Sequence, residues 1–387
     1  MKRLCALLLV AVLSVLCSSC STGVTESSQG ASSEISSTPA DEGAVAEKML
    51  LEMTLEEKIA QLFIVEPSAL LKNSTNTAVG KSDAERLANS TVGGFILFAN
   101  NIQNPAQITA YTNALKNCKT APFIAIDEEG GRVARIANNS NFKVTKYSSM
   151  LSLGGDTQKA YSVGATIGAY LKEYGFSLNF APVADVFTNP ANTVIGNRAF
   201  STDPEVAAEM VAACIGGLYS KGVIPCAKHF PGHGDTAEDS HFGLATTNKS
   251  WQELMECEML PFISAIESGV DMIMIGHIAA PAVTGDNTPA TLSRILITEK
   301  LREELGFEGV VVTDSMEMQA ITKQYSSATA AVMAIKAGVD IILMPDNFSD
   351  ALNGLKAAVE SGEITEERIN ESVLRILELK EKYGLIK

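Results

Sequence analysis

Gly222-Val223-Ile224-Pro225-Cys226-Ala227-Lys228-His229-Phe230-Pro231-Gly232-His233-Gly234-Asp235-Thr236-Ala237-Glu238-Asp239-Ser240-His241 joins two kinds of chain. The first six residues read as a short buried strand. From Lys228 the composition turns polar, and three of the protein's four histidines fall between Lys228 and His241, with two aspartates and a glutamate. A polar loop leaving the C-terminal end of a strand is where α/β proteins bind ligands and do chemistry.

Working outward from Val223–Ala227, similar apolar runs recur along the chain. They lie at Gln61–Val65, Gly94–Phe98, Phe123–Asp127, Ser177–Ala181, Asp271–Ile275, Val310–Thr313 and Val339–Met344. With Val223–Ala227 they make eight strand candidates. Each run is continuous rather than alternating, as expected of parallel strands covered on both faces. Helical segments lie between them. An initial helix spans about Asp41 to Met53, and Thr54-Leu55-Glu56-Glu57 has the spacing of a capping box. Asn104-Pro105 and Asp203-Pro204 each put a capping residue before a proline at the first helical position. Gly175, Gly222, Gly306, Gly338 and Gly362 fall where helices should end. Ser293 is expected to cap a helix running to Leu305, and Thr365 to open a last helix ending near Gly384.

Strands alternating with helices in this number fit a single (β/α)8 TIM-type barrel, an α/β fold. An open doubly wound sheet is the alternative, because periodicity does not show closure. The loops at about 128–155, 182–202 and 229–250 are long and polar, whereas connections on the other face are two or three residues. One decorated face and one plain face is what an active-site barrel needs.

Composition narrows the class. The balance is acidic, 45 Asp+Glu against 30 Lys+Arg, and no basic block appears, so nucleic acid is not expected as a partner. Residues 1–20 read as a signal segment: Lys2 and Arg3, an apolar run from Leu4 to Leu16, then Cys17-Ser18-Ser19-Cys20. This resembles a bacterial lipoprotein signal with Cys20 as the lipidated residue, although Cys17 stands where that motif has leucine. Plain cleavage and secretion is the alternative. Residues 21–42 are rich in Ser, Thr and Gly and read as a tether, leaving 43–387 as the folded domain. The expected location is therefore the outer face of the cell membrane. Cys118, Cys214, Cys226 and Cys257 are widely spaced in apolar contexts and read as buried free thiols.

Polar residues gather at the strand ends of the decorated face: Asp127-Glu128-Glu129-Gly130-Gly131-Arg132, Asp185, Lys228-His229, His277, Asp314 and Asp346. Asp314, directly after an apolar strand, reads either as a helix cap or as a carboxylate held rigidly as nucleophile or base. The histidine loop admits three readings. Metal binding by His229, His233 and His241 has spacings of four and eight that match no zinc pattern. A purely structural loop is the second. The third rests on Asp239-Ser240-His241, where an aspartate holds an imidazole in one tautomer for general acid/base work.

Lys228 to Asp235, together with Asp239-Ser240-His241, resembles the hallmark of glycoside hydrolase family 3, in its β-N-acetylglucosaminidase branch. Met53-Thr54-Leu55-Glu56-Glu57-Lys58, Asp127 to Arg132, Ile195-Gly196-Asn197-Arg198-Ala199-Phe200 and Thr313-Asp314-Ser315-Met316 are similar to the family's other motifs, in the family's order. The resemblance covers about residues 43 to 387. It implies that Asp314 is the nucleophile of a covalent glycosyl-enzyme, His241 the acid/base and Asp239 its orienting partner. This departs from the usual pair of glycosidase carboxylates. It further implies that Asp127, Arg198, Lys228 and His229 hold the sugar ring, with Arg135 and Asp185 shaping the site. Family members often carry a C-terminal second domain, which is not expected here.

The resemblance implies a retaining exo-β-N-acetylglucosaminidase acting on peptidoglycan fragments or chitin oligosaccharides, with no metal or organic cofactor. A phosphorylase with the same site is a variant, since a histidine acid/base would not repel phosphate. A sugar-binding lipoprotein without turnover is the reading from another class.

Overall fold

The computed structural model describes residues 43–236 and 243–387. Residues 1–20 and 21–42, with Cys20, lie outside the described residues, as do Asp239 and His241.

Eight parallel strands form one sheet: β1 Phe63–Val65, β2 Gly94–Leu97, β3 Phe123–Ile126, β4 Leu178–Asn179, β5 Ile224–Phe230, β6 Met272–Ile275, β7 Val310–Thr313 and β8 Ile342–Leu343. Neighbours in space are neighbours in sequence from β1 to β7, and β8 pairs with β1 through Phe63↔Ile342 and Ile64↔Leu343. The last seam, β7 to β8, is a single parallel bridge, Val312↔Ile341, with the Thr313 N–H donating to the Ile341 carbonyl at 3.0 Å. That bridge decides between the two expected architectures: the sheet closes as a barrel. Each strand overlaps the apolar run expected for it, and the strand residues themselves are buried, as in the fully buried β6 Met272-Ile273-Met274-Ile275.

The seam is fastened from below by one side chain. Asp340 is fully buried, and its carboxylate accepts from Arg302 at 2.6 Å, the Val311 N–H at 2.9 Å, Ser372 at 2.6 Å and Arg375 at 3.2 Å. A buried charge requires such pairing, and here the pairing joins β7, β8 and two outer helices.

Helix punctuation follows the sequence closely. Thr54 and Glu57 make the reciprocal capping box before Leu55–Gln61. Asn104 caps Pro105–Leu115 and Asp203 caps Pro204–Tyr219, each accepting backbone N–H groups that the first helical turn leaves unpaired. Thr365 caps Glu366–Lys382. Gly338 ends Ser327–Ala337 at φ 113°, a conformation that costs glycine nothing and other residues a good deal. Helices Thr157–Glu173 and Pro204–Tyr219 touch through Gly164 and Gly217. A Cβ at either would lie 2.2 Å from a backbone oxygen of the other helix.

Three expectations need correction. The helix expected from Ser293 to Leu305 is a π-helix over Ile295–Glu304, closed by the Leu305 N–H on the Lys300 carbonyl at 2.9 Å. The strand expected to end at Ala227 continues to Phe230 and buries Lys228 and His229. Of the four domain cysteines, all free, Cys214 and Cys226 are buried whereas Cys118 and Cys257 are half-buried.

Candidate active site

At the C-terminal ends of the strands a cavity of about 490 Å³ opens. Its polar wall is formed by Asp127, Glu129, Arg198, Lys228, His229 and Asp314, and Phe98, Met274, Leu343 and Met344 supply apolar surface. A concave site with apolar walls and a few convergent polar groups is the usual form of a small-ligand site.

The polar wall is organised by Glu129, whose side chain is 2% exposed. Both its oxygens accept from the Arg198 guanidinium at 2.8 Å, and the Lys228 ammonium stands 2.7 Å away. Lys228 also donates to Asp127 at 2.8 Å. Burial by itself would raise the Glu129 pKa, but Arg198 and Lys228 hold it far below the usual carboxylate range. The same partnership lifts Lys228 and Arg198 against burial, which alone would lower both. All three therefore stay charged, and Asp127 is presented to the cavity at 17% exposure. Arg135 stands 3.5 Å from Asp127 and lies over the Phe98 ring.

Asp314 follows β7, its N–H donating to the Ile275 carbonyl at 2.8 Å. Burial would raise its pKa. The positive charges that His229 and His277 can carry, with the Ser315 N–H donated at 2.8 Å, hold it below the ordinary aspartate value. The site thus keeps an anion on its floor in a largely desolvated place. Each histidine is oriented from behind. His229 Nδ1 lies 2.7 Å from Asp185 Oδ2, and Asp185 Oδ1 accepts the His233 N–H at 2.6 Å. A carboxylate beside Nδ1 fixes the Nδ1–H tautomer and leaves Nε2 for other work. His277 Nε2 lies 2.8 Å from the Ser315 carbonyl, which can only accept, so that nitrogen carries its proton. Thr291 engages Nδ1 at 2.9 Å.

Glu128 fixes the segment carrying these groups. Its carboxylate accepts the N–H groups of Arg135 at 2.5 Å, Ile136 at 2.9 Å and Ala137 at 2.9 Å, and the Tyr170 hydroxyl at 2.9 Å. Its backbone is paired with the Asn179 amide in both directions at 2.9 Å. Glu128 is thus a buried brace, and it places Asp127, Glu129 and Arg135 on one wall.

Comparison with known proteins follows the same outline. Residues 54–379 match the glycosyl hydrolase family 3 N terminal domain. The chain belongs to glycoside hydrolase family 3. Beta-hexosaminidase A of Pseudoalteromonas piscicida is 37% identical over 330 residues, which cover 77% of this chain and 55% of that protein. Beta-hexosaminidase of Nitrosomonas eutropha is 32% identical over 333 residues, 82% of this chain and 94% of that protein. A solved structure of a family 3 β-N-acetylglucosaminidase from Paenibacillus superimposes with a TM-score of 0.79 at 39% identity. It covers 86% of this chain and 63% of the Paenibacillus chain. The present chain therefore spans just over half of the first of these relatives and nearly all of the second.

Within this family 3 barrel, Asp127, Arg135, Arg198, Lys228, His229 and Asp314 all line one cavity. Glu129 lines it as well, and Asp185 and His277 stand behind it, bonded to His229 and to the Ser315 carbonyl. Glu129 carried one signal, its place in Asp127-Glu128-Glu129-Gly130-Gly131-Arg132, but which of its two glutamates faces the site depends on partners roughly 70 to 100 residues away. Of the three histidines in the suggested metal set, His229 is bound to Asp185, and His233 Nδ1 lies 2.6 Å from Thr236 Oγ1. Among the described residues no group of three or more His, Cys, Asp or Glu is placed to hold a metal.

Proposed function

We propose that the protein is an exo-acting β-N-acetylhexosaminidase that removes terminal β-linked N-acetylglucosamine with retention of configuration. The observation that supports this most is Asp314: a carboxylate on the cavity floor, kept ionised against burial by the nearby His229 and His277 and held by the Ser315 N–H. Its oxygen attacks the anomeric carbon as the bond to the leaving oxygen breaks, and His241 gives that oxygen a proton. Water then adds to the same carbon while His241 takes a proton from that water, so the bond to Asp314 breaks and both groups return to their starting states. Asp239 orients His241. Asp127, Lys228, Arg198, Arg135 and His229 offer the fixed donors and acceptors that a ring with several hydroxyls and an amide requires.

Peptidoglycan fragments and chitin oligosaccharides both carry the required terminal sugar. Lys2, Arg3, the apolar run to Leu16 and Cys20 support export and lipid attachment at the outer face of the cell membrane, with 21–42 as tether. Replacing Cys20 with Ser should move the protein from the membrane to the soluble fraction, and an unchanged distribution would remove the anchor. Among the described residues no helix is long and apolar enough to cross a membrane.

The deciding experiment is release of a chromogenic phenol from its β-N-acetylglucosaminide by wild type and by Asp314→Asn, with and without phosphate. Turnover lost in the variant supports the reading. Sugar phosphate as product would make the protein a phosphorylase. Sugar binding without turnover by folded wild type would leave a receptor.

A further inference from the structure

The chain leaves β5 on one limb and returns on another, and Asp239 and His241 lie in the sequence between them. The outgoing limb is held by Asn192, whose amide donates to the carbonyls of His233 at 2.7 Å and Thr236 at 3.0 Å. The Asn189 N–H adds a bond to the Gly234 carbonyl at 3.2 Å. The returning limb is held by Ala245–Thr246, which pairs with Ile278–Ala279.

One side chain spans the two limbs. Lys249 Nζ stands 2.6 Å from Glu258 Oε1 and 3.6 Å from Asp235 Oδ1, so a single ammonium links the returning limb to the outgoing one. Glu258 is fully buried beneath the turn at Gly232, where a Cβ would lie 2.6 Å from its Cγ. Its second oxygen, Oε2, is buried and has no hydrogen-bond partner among the described residues. A buried carboxylate with one engaged oxygen depends on its one cation, because loss of that partner leaves an uncompensated charge. Lys249 is therefore anchored by Glu258 and, from that anchorage, holds Asp235.

We infer that Lys249, seated on Glu258, is a positioning residue for the general acid: it sets the separation of the two limbs and so the delivery of the His241 proton to the leaving oxygen. This rests on the roles proposed for His241 and Asp314. Lys249 touches no reacting atom, and its effect should follow the demand for a proton.

The test compares kcat/KM of wild type, Lys249→Met and Lys249→Arg on two β-N-acetylglucosaminides. One carries 2,4-dinitrophenolate, which departs without protonation, and the other a simple alkoxide, which needs it. Because kcat/KM reports the steps through loss of the leaving group, water attack does not blur the result. Lys249→Met should lose about ten- to a hundredfold on the alkyl glycoside, part of what a general acid contributes, and stay within about threefold of wild type on the dinitrophenyl glycoside. Lys249→Arg, which keeps the charge, should restore most of the loss. Equal losses on both substrates would show a generally damaged site, and no loss on either would show an idle ion pair; each overturns the inference. If wild type turns over neither glycoside, the glycosidase reading itself fails and takes this inference with it.

Discussion

Replacing Glu129 by Gln removes one charge from a buried cluster of four groups and keeps its shape. Arg198 then faces an amide that can accept on one side only, and its other hydrogen bond among the neighbouring groups is to the Val194 carbonyl at 3.0 Å. Lys228 keeps Asp127 but stands beside a guanidinium with no carboxylate between them. Removing one partner of a buried ion pair costs about 3–5 kcal/mol. An unfolding entropy of about 2.1 cal/mol/K per residue over roughly 345 residues gives about 0.7 kcal/mol per degree, so the melting temperature should fall by about 4–7 °C. The pH dependence has a definite sign. Glu129 is depressed in the folded state, so its contribution is complete above the ordinary glutamate value and declines as pH falls through and below about 4.5. Thermal melts at pH 7 and pH 3.5 should show a large gap between wild type and variant that narrows in acid. The double variant Glu129→Gln/Arg198→Met, which also removes the stranded cation, should recover part of the stability. A melting temperature unchanged at pH 7, or a gap that widens in acid, would refute the reasoning.

Two further perturbations probe other parts of the barrel. Asp185→Asn puts an amide N–H or a single acceptor against His229 Nδ1 and the His233 N–H, which one carboxylate now serves together. The imidazole loses its enforced tautomer, and kcat/KM should drop on the order of ten- to a hundredfold; unchanged kinetics would make Asp185 a packing residue. Lys380 is fully buried, donates to Gln61 Oε1 at 2.8 Å and lies over the Phe123 ring; burial pushes its pKa down to about 7. Between about pH 7 and 10 the unfolded chain binds this proton and the folded one does not, so stability should rise with pH across that window. Urea unfolding at pH 7 and 9.5 should show the rise in wild type and a flatter response in Lys380→Met; parallel responses would mean that Lys380 is charged when folded.

The barrel was legible because its strands are apolar along their whole length and its helices begin on Thr54, Asn104, Asp203 and Thr365, local signals that need no partner. Closure was not legible, since it rests on a few bonds between the β7 and β8 segments, the Val312–Ile341 bridge among them. The end of β5 was misplaced for a related reason. Lys228 and His229 look like loop residues, and they are buried in a strand only because Asp127, Glu129 and Asp185 meet them there. Motif residues such as Asp314 and Arg198 could be placed in one site. Glu128 and Glu129 could not be told apart, because adjacent residues point to opposite sides and only the fold says that one meets Arg198 while the other meets Tyr170.

The pairing of β1 with β8 gives the molecule a built-in order of assembly. Ile64 finds Leu343 roughly 280 positions later in the chain, and the Val312–Ile341 seam forms only when that same last strand arrives. Until then a growing chain carries two unpaired sheet edges, β1 and β7, each able to pair with another chain. Fragments that stop short of β8 should therefore behave as sticky, open sheets rather than as smaller barrels. The Asp340 contacts that lock the seam reach Arg368 and Arg375 of Glu366–Lys382, so the fastening is completed only after the helix beyond β8 has also emerged.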